Sequence, residues 1–211
     1  MRLITLIITI TLSCSIATSS AANIRSIPPN SIQKVLHQKT YGKVISAFQS
    51  DLDLNGIQET VAITHKTNKN GHPLGGHVIV MQPTKTGLKV IESHTRLNPW
   101  KLQIADVDGD KKQEIIVGVW KISPKDPVMA KRVFVYNWCG KRMTPKWLGS
   151  RLARRFEDFH FRDINNDGWA ELLALEVSPG KPKRIGIYRW KSFGFEWLRS
   201  AEAEKWKELT K

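Results

Sequence analysis

The amino-acid sequence predicts an all-β fold of three four-stranded units of the propeller-blade kind, with short N- and C-terminal extensions. Two observations predict it. First, an acidic frame occurs three times: "DLDLNGIQETVAIT" from Asp51, "DVDGDKKQEIIVGVW" from Asp106 and "DINNDGWAELLALEV" from Asp163. The copies share Asp at position 1, Asp or Asn at positions 3 and 5, Glu at position 9, and then an apolar run. Their starts lie 55 and then 57 residues apart. At ordinary residue frequencies such a frame arises at roughly one position in 10⁴ to 10⁵, so three evenly spaced copies mark an internal repeat. Second, each frame sits in the same succession of period-two alternating stretches, the signature of strands.

The elements follow in chain order. Residues 1–22 have a positive charge at Arg2, an apolar stretch from Leu3 to Leu12, and small residues at Ser20 and Ala22. This reads as a secretory signal peptide. The apolar stretch is shorter than the roughly 20 residues that span a bilayer, so no transmembrane helix is expected after cleavage. Thr11 stands where lipid modification of Cys14 would want an aliphatic residue, which argues against a lipoprotein. Residues 23–40 contain two prolines and a possible short helix. Three units follow, at about 41–95, 97–150 and 154–200. Each begins with an alternating stretch ("KVISAFQS", "WKLQIA", "FEDFHF"), passes through the acidic loop into an apolar strand, and ends in a hairpin. In the hairpins Met81, Tyr136 and Tyr188 fill one repeated slot, and Pro83, Trp138 and Trp190 another. Residues 201–211 read as a short amphipathic helix or tail, with Ser200 as its N-cap.

The loops carry the chemistry. Asp51, Asp53 and Glu59, then Asp106, Asp108, Asp110 and Glu114, then Asp163, Asp167 and Glu171 are ten of the chain's 19 acids. Gathering like charges is unfavourable unless a cation or a hydrogen-bond network offsets it. Calcium takes about six to eight oxygens, and oxygen-bearing side chains at alternate positions supply them from one turn. An EF-hand starts similarly but needs Glu at position 12 and flanking helices. Here position 12 is Ala62, Val117 and Ala174, and the flanks read as strands.

The frame followed by a β-strand resembles the FG-GAP/VCBS-type repeat, the calcium-loop blade of integrin-alpha-like propellers. The likeness covers about 160 residues. It implies Ca2+ in up to three loops, held by side chains at positions 1, 3, 5 and 9 and by the carbonyl at position 7. Those residues would be Asp51, Asp53, Asn55, Ile57 and Glu59; Asp106, Asp108, Asp110, Lys112 and Glu114; and Asp163, Asn165, Asp167, Trp169 and Glu171. Position 6 favours Gly because the backbone turns to positive φ there. Gly56 and Gly168 comply and Lys111 does not, so the second loop is expected to be shaped differently. Asn55 in place of Asp is expected to weaken the first. Propellers close with about four or more blades. Three units therefore leave open an arc, a strained ring, half of a six-bladed dimer, or a degenerate partial blade in the N-terminal segment.

No HExxH, nucleophile elbow, phosphate loop or Cys/His zinc spacing occurs, and catalytic carboxylate pairs are not copied three times, so no enzyme is expected. His72 and His77, in "NGHPLGGH", offer a lesser metal site. Cys139 is a lone cysteine after signal cleavage. Trp138, Trp147, Trp190 and Trp197 recur in the hairpins and are expected in the core; Trp100, Trp120, Trp169 and Trp206 are placed less regularly. Net charge is +14, and +13 without residues 1–22. Basic clusters lie at Lys141, Arg142, Lys146, Arg151, Arg154 and Arg155 and at Lys181, Lys183 and Arg184. With no nucleic-acid motif, this favours an anionic glycan or cell-surface partner. Two functions are expected: a secreted binding or adhesion module with calcium-braced blades, or an accessory subunit whose open blade edges pair with another protein or a second copy.

Overall fold

The computed structural model describes residues 23–36, 38–67, 73–123, 126–149 and 152–211. The expected signal peptide and Cys14, together with His72 and Arg151, lie outside the described residues.

The chain is all-β, in three antiparallel meanders. The first sheet runs β1 (Arg25–Ser26), β2 (Lys43–Ser50), β3 (Glu59–Thr67), β4 (Pro73–Thr84) and β5 (Gly87–Leu97). The second contains β6 (Pro99–Ala105), β7 (Glu114–Ser123), β8 (Asp126–Trp138) and β9 (Met143–Trp147). The third contains β10 (Arg155–Arg162), β11 (Glu171–Ser178), β12 (Lys181–Lys191) and β13 (Gly194–Glu202). The acidic loops join β2 to β3, β6 to β7 and β10 to β11. Each loop therefore links the first two strands of the second and third meanders, and the second and third strands of the first, where β1 adds an outer strand.

Register repeats as closely as sequence does. Position 10 of each frame pairs with the repeated hairpin slot: Thr60 with Met81, Ile115 with Tyr136, and Leu172 with Tyr188. The last strand of each sheet also carries a β-bulge at one place. Ile91, Lys146 and Leu198 are the extra residues opposite Val80/Met81, Val135/Tyr136 and Ile187/Tyr188.

The sheets stack in sequence order, and alternation along each strand decides which neighbour a side chain meets. In β7, Ile115, Val117 and Val119 face the first sheet, in a core with Val61, Ile63, Val78 and Val80. Ile116 faces the third sheet, with Phe159, Leu172, Ala174 and Tyr188. Middle strands buried on both faces read as near-continuous apolar runs, which explains "EIIVGV" and "ELLAL". Burying each such side chain stabilises the fold by about 1.5–3 kcal/mol.

The two outer faces of the stack are covered by the chain's own ends. Ile32, from α1 (Pro29–Gln33), and Leu36 just after it pack on Val44, Ala47, Ala62, Ile79 and Met81 of the first sheet, joined by Tyr41 of α2 (Gln38–Tyr41). At the other end Trp206 and Leu209, from α3 (Trp206–Leu209), cover Leu173, Ile185 and Ile187. Terminal caps of this kind are what stacked repeats need to end in water. The expected Ser200 cap is absent: Ser200 lies within β13, and the 3-10 turn Ala203–Lys205 that precedes α3 starts at Glu202 without a side-chain cap.

Trp138, Trp147 and Trp190 are buried as expected, whereas Trp197, on β13, is 47% exposed. His77 sits within β4, with Nδ1 3.0 Å from Ser93 Oγ and its ring edge-on to Tyr41. Cys139 is exposed and unpaired.

Candidate metal centre in the acidic loops

The three loops fold alike because their acids first satisfy their own backbone. The Asp at position 1 accepts the N–H of position 6 every time: Gly56 to Asp51 (2.8 Å), Lys111 to Asp106 (2.8 Å) and Gly168 to Asp163 (2.8 Å). The side-chain oxygen at position 5 accepts the N–H at position 7: Ile57 to Asn55, Lys112 to Asp110, and Trp169 to Asp167. The Glu at position 9 reaches back to the N–H at position 2: Leu52 to Glu59 (3.1 Å), Val107 to Glu114 (2.9 Å) and Ile164 to Glu171 (3.1 Å). Charged acceptors on backbone donors are the stronger kind of hydrogen bond.

These bonds hold a backbone that is left-handed at two positions. Position 4 has φ 63 at Leu54, 78 at Gly109 and 60 at Asn166. Position 6 has φ 85 at Gly56, 70 at Lys111 and 92 at Gly168. The expectation of a different shape for the second loop is therefore corrected. Lys111 adopts the glycine conformation, at a cost of roughly 1–2 kcal/mol, and its N–H completes the same bond to Asp106.

Successive loops are also tied together. Gln113 N–H donates to Leu52 carbonyl (2.9 Å), and Ala170 N–H to Asp106 carbonyl (2.8 Å). The Trp169 indole lies flat against Gly109 of the second loop, where any Cβ would overlap the ring. The Arg189 guanidinium stacks over the indole at 4.6 Å.

The loops differ in what surrounds their remaining oxygens. In the first, Asp51, Asp53 and Glu59 each bring a carboxylate oxygen within 4.8 Å of the others. Asp53 takes no part in the backbone network, and its Oδ1 is buried with no hydrogen-bond partner. Glu59, wholly buried, accepts only the Leu52 N–H and the Gln82 amide (3.0 Å). In the second loop Asp106, Asp108 and Glu114 gather within the same 4.8 Å, but Lys146 enters the cluster. Its Nζ donates to Asp108 Oδ2 and to Glu114 Oε1 (2.8 Å). Burial works against the Lys146 ammonium, but its hydrogen bonds to Asp108 and Glu114 outweigh this and hold its pKa above the ordinary value. Burial pushes the Glu114 carboxyl up to about 7, against the pull of Lys146. In the third loop the carboxylates do not gather. Asn165 Nδ2 donates to both Asp167 (3.0 Å) and Glu171 (3.2 Å), and Arg189 pairs with Asp167.

Two of the three expected clusters can thus hold a metal ion, and two cations of the chain itself occupy the second and third loops. Arg189 was detectable in the sequence. It falls between two repeated hairpin slots, where the other units have Gln82 and Asn137. Lys146 had no such signal, because it reaches its loop from the bulge in β9, and a bulge re-aims one side chain. Comparison of the sequence with protein-family models and with curated proteins finds no match.

Proposed function

We propose that the chain is a secreted, non-catalytic binding module. Its three units act as blades of the FG-GAP/VCBS type, arranged as an open arc capped at both ends, with Ca2+ bracing a loop and the basic surface meeting an anionic or glycan ligand. The observation that carries the metal reading is Asp53. In the first loop the backbone network uses positions 1, 5 and 9 and leaves position 3 out. Yet Asp53 brings a buried, unpartnered carboxylate oxygen beside two further carboxylates. Hard oxygens in that grouping suit calcium, with the Ile57 carbonyl as the fifth ligand that the family likeness implies. The ion would stabilise the turn and carry no reaction.

Occupancy follows from the cations. The first loop makes no salt bridge among the described residues and takes calcium most readily. The second binds only by displacing Lys146, and the third only by rearranging Arg189 and Asn165. Calorimetric titration is expected to give one ion per chain for the wild type. Lys146→Met should raise this to two, because it leaves Asp108 and Glu114 without their ammonium. One ion in both proteins would count against a competing lysine.

The edge strand β13 favours the second reading, an accessory subunit that pairs with a partner. Phe193, Trp197 and Leu198 lie exposed along or beside it, and an open edge accepts a further strand.

A further inference from the structure

The β7–β8 hairpin is longer than its sheet. Pairing of β6 to β7 stops at Pro99↔Val119, and pairing of β8 to β9 begins only at Val135↔Trp147. Residues Trp120–Ser123 and Asp126–Lys131 therefore form two strands that overhang the sheet at the end opposite the acidic loops, paired from Trp120↔Lys131 to Ser123↔Asp126, with the Trp120 N–H still donating to the Asn98 carbonyl (2.9 Å). Isolated two-stranded ribbons are marginal in water. This one also leaves its large apolar side chains uncovered: Trp120 is 41% exposed, Ile122 50%, Val128 46% and Met129 55%.

Its charges are mostly positive. Asp126 is matched by Arg132 at the base of the ribbon (2.9 Å) and by Arg155 of the neighbouring sheet (3.3 Å). Lys121 and Lys131 carry the surplus, Lys131 lying 4.2 Å from the Trp100 ring centroid. The neighbouring β11–β12 turn adds Lys181 and Lys183, which line one depression with Arg155. Glu157 in that depression is matched by Lys183 (2.6 Å).

Building on the reading that the basic surface meets an anionic ligand, we propose that this ligand is an anionic lipid surface and that the ribbon is what docks on it. Trp120, Ile122, Val128 and Met129 enter the headgroup–acyl boundary, and Lys121 and Lys181 contact acidic headgroups, while Lys131, whose Nζ donates to the Glu157 carbonyl, stays within the protein. The aliphatic side chains on the two strands select lipid over polyanion. Ile122, Val128 and Met129 offer neither a ring to stack on a base or sugar nor a donor for a sulfate, and hydrocarbon is the environment that suits them. Weak apolar insertion supported by a basic fringe is how peripheral proteins bind membranes. The acidic loops, at the far end of the strands, face away from the negative surface. No helix among the described residues is long and apolar enough to cross a membrane, so the association is peripheral.

The test uses the full chain and vesicles of phosphatidylcholine with or without phosphatidylserine, with dextran sulfate beads as a soluble-polyanion control. The chain should pellet with phosphatidylserine vesicles and remain in solution with neutral ones. The double variant I122D/M129D should bind them roughly tenfold less or worse, with retention on dextran sulfate unchanged. Both positions are exposed, so folding is expected to survive. Lys121→Glu with Lys181→Glu, also exposed, provides an independent second variant and should weaken the same binding. Retention on dextran sulfate without vesicle binding would overturn the lipid proposal and leave the anionic-ligand reading intact. Failure to bind either would remove both. Vesicle binding indifferent to both double variants would also overturn the proposal.

Discussion

Gly109→Ala is expected to destabilise the protein by about 2–4 kcal/mol, through overpacking and a left-handed backbone together. The first contribution is steric. A Cβ at this position overlaps the Trp169 indole, which Arg189 also contacts at 4.6 Å from the ring centroid. The second is conformational, since Gly109 has φ 78. The two can be separated, because Leu54 and Asn166 tolerate the same left-handed conformation at the equivalent position. Trp169→Ala removes the obstacle, so in that background Gly109→Ala should cost only the conformational part, about 1 kcal/mol. Denaturant unfolding of the four proteins measures the difference. An equal cost in both backgrounds would mean that the indole does not pack on the second loop.

Glu176→Ala is the second large effect. Glu176 lies in β11 with its side chain wholly buried, accepting from Arg184 Nε (2.8 Å) and from the Tyr188 hydroxyl, with Arg154 Nε 4.0 Å away. Burial, with Glu176 beside it, raises the Tyr188 phenol far above its usual range. Gly186 completes the arrangement: a Cβ there would overlap the carboxylate. Deleting one partner of a buried ionic group costs about 3–5 kcal/mol, mostly by stranding the others. Glu176→Gln, which keeps the shape and one acceptor, should cost clearly less. Tyr188→Phe should be unfavourable in the wild type, where it strands a carboxylate oxygen, and neutral or stabilising after Glu176→Ala, where it removes an orphaned hydroxyl. A constant cost for Tyr188→Phe would show that the two side chains are not coupled.

Much of this molecule was legible in its sequence, and the residues show why. The frame Asp–x–Asp/Asn–x–Asp/Asn–x–x–x–Glu is visible because positions 1, 5 and 9 each have their own backbone partner in all three loops, so three copies preserve them. The strands are visible because alternation assigns Ile115 and Ile116 to different neighbours. What stayed hidden depends on geometry between elements. Lys146 enters the second loop through a bulge that is defined only once β8 and β9 are in register. Trp169 meets Gly109 only once the second and third sheets stack. The count of three units looked anomalous because a closed propeller needs about four or more blades, whereas the sheets here stack in sequence order with two outer faces to cover. Ile32 and Leu36 at one end and Trp206 and Leu209 at the other supply that burial without a fourth unit. Trp197 fits the hairpin pattern yet is exposed, since periodicity gives the face of a strand and not whether another sheet covers it.

Calcium bracing of the first loop is tested by the melting temperature with and without calcium, for the wild type and Asp53→Ala. Asp53 makes no hydrogen bond in the loop's backbone network, so its removal should leave the calcium-free protein nearly as stable as the wild type. Calcium at about a hundredfold excess over its dissociation constant adds about 2.7 kcal/mol. In a chain of this size that is a rise of roughly 5–11 °C, reversed by chelation and absent in Asp53→Ala. A wild-type melting temperature indifferent to millimolar calcium would contradict the metal reading and leave the acids as hydrogen-bonded turns alone.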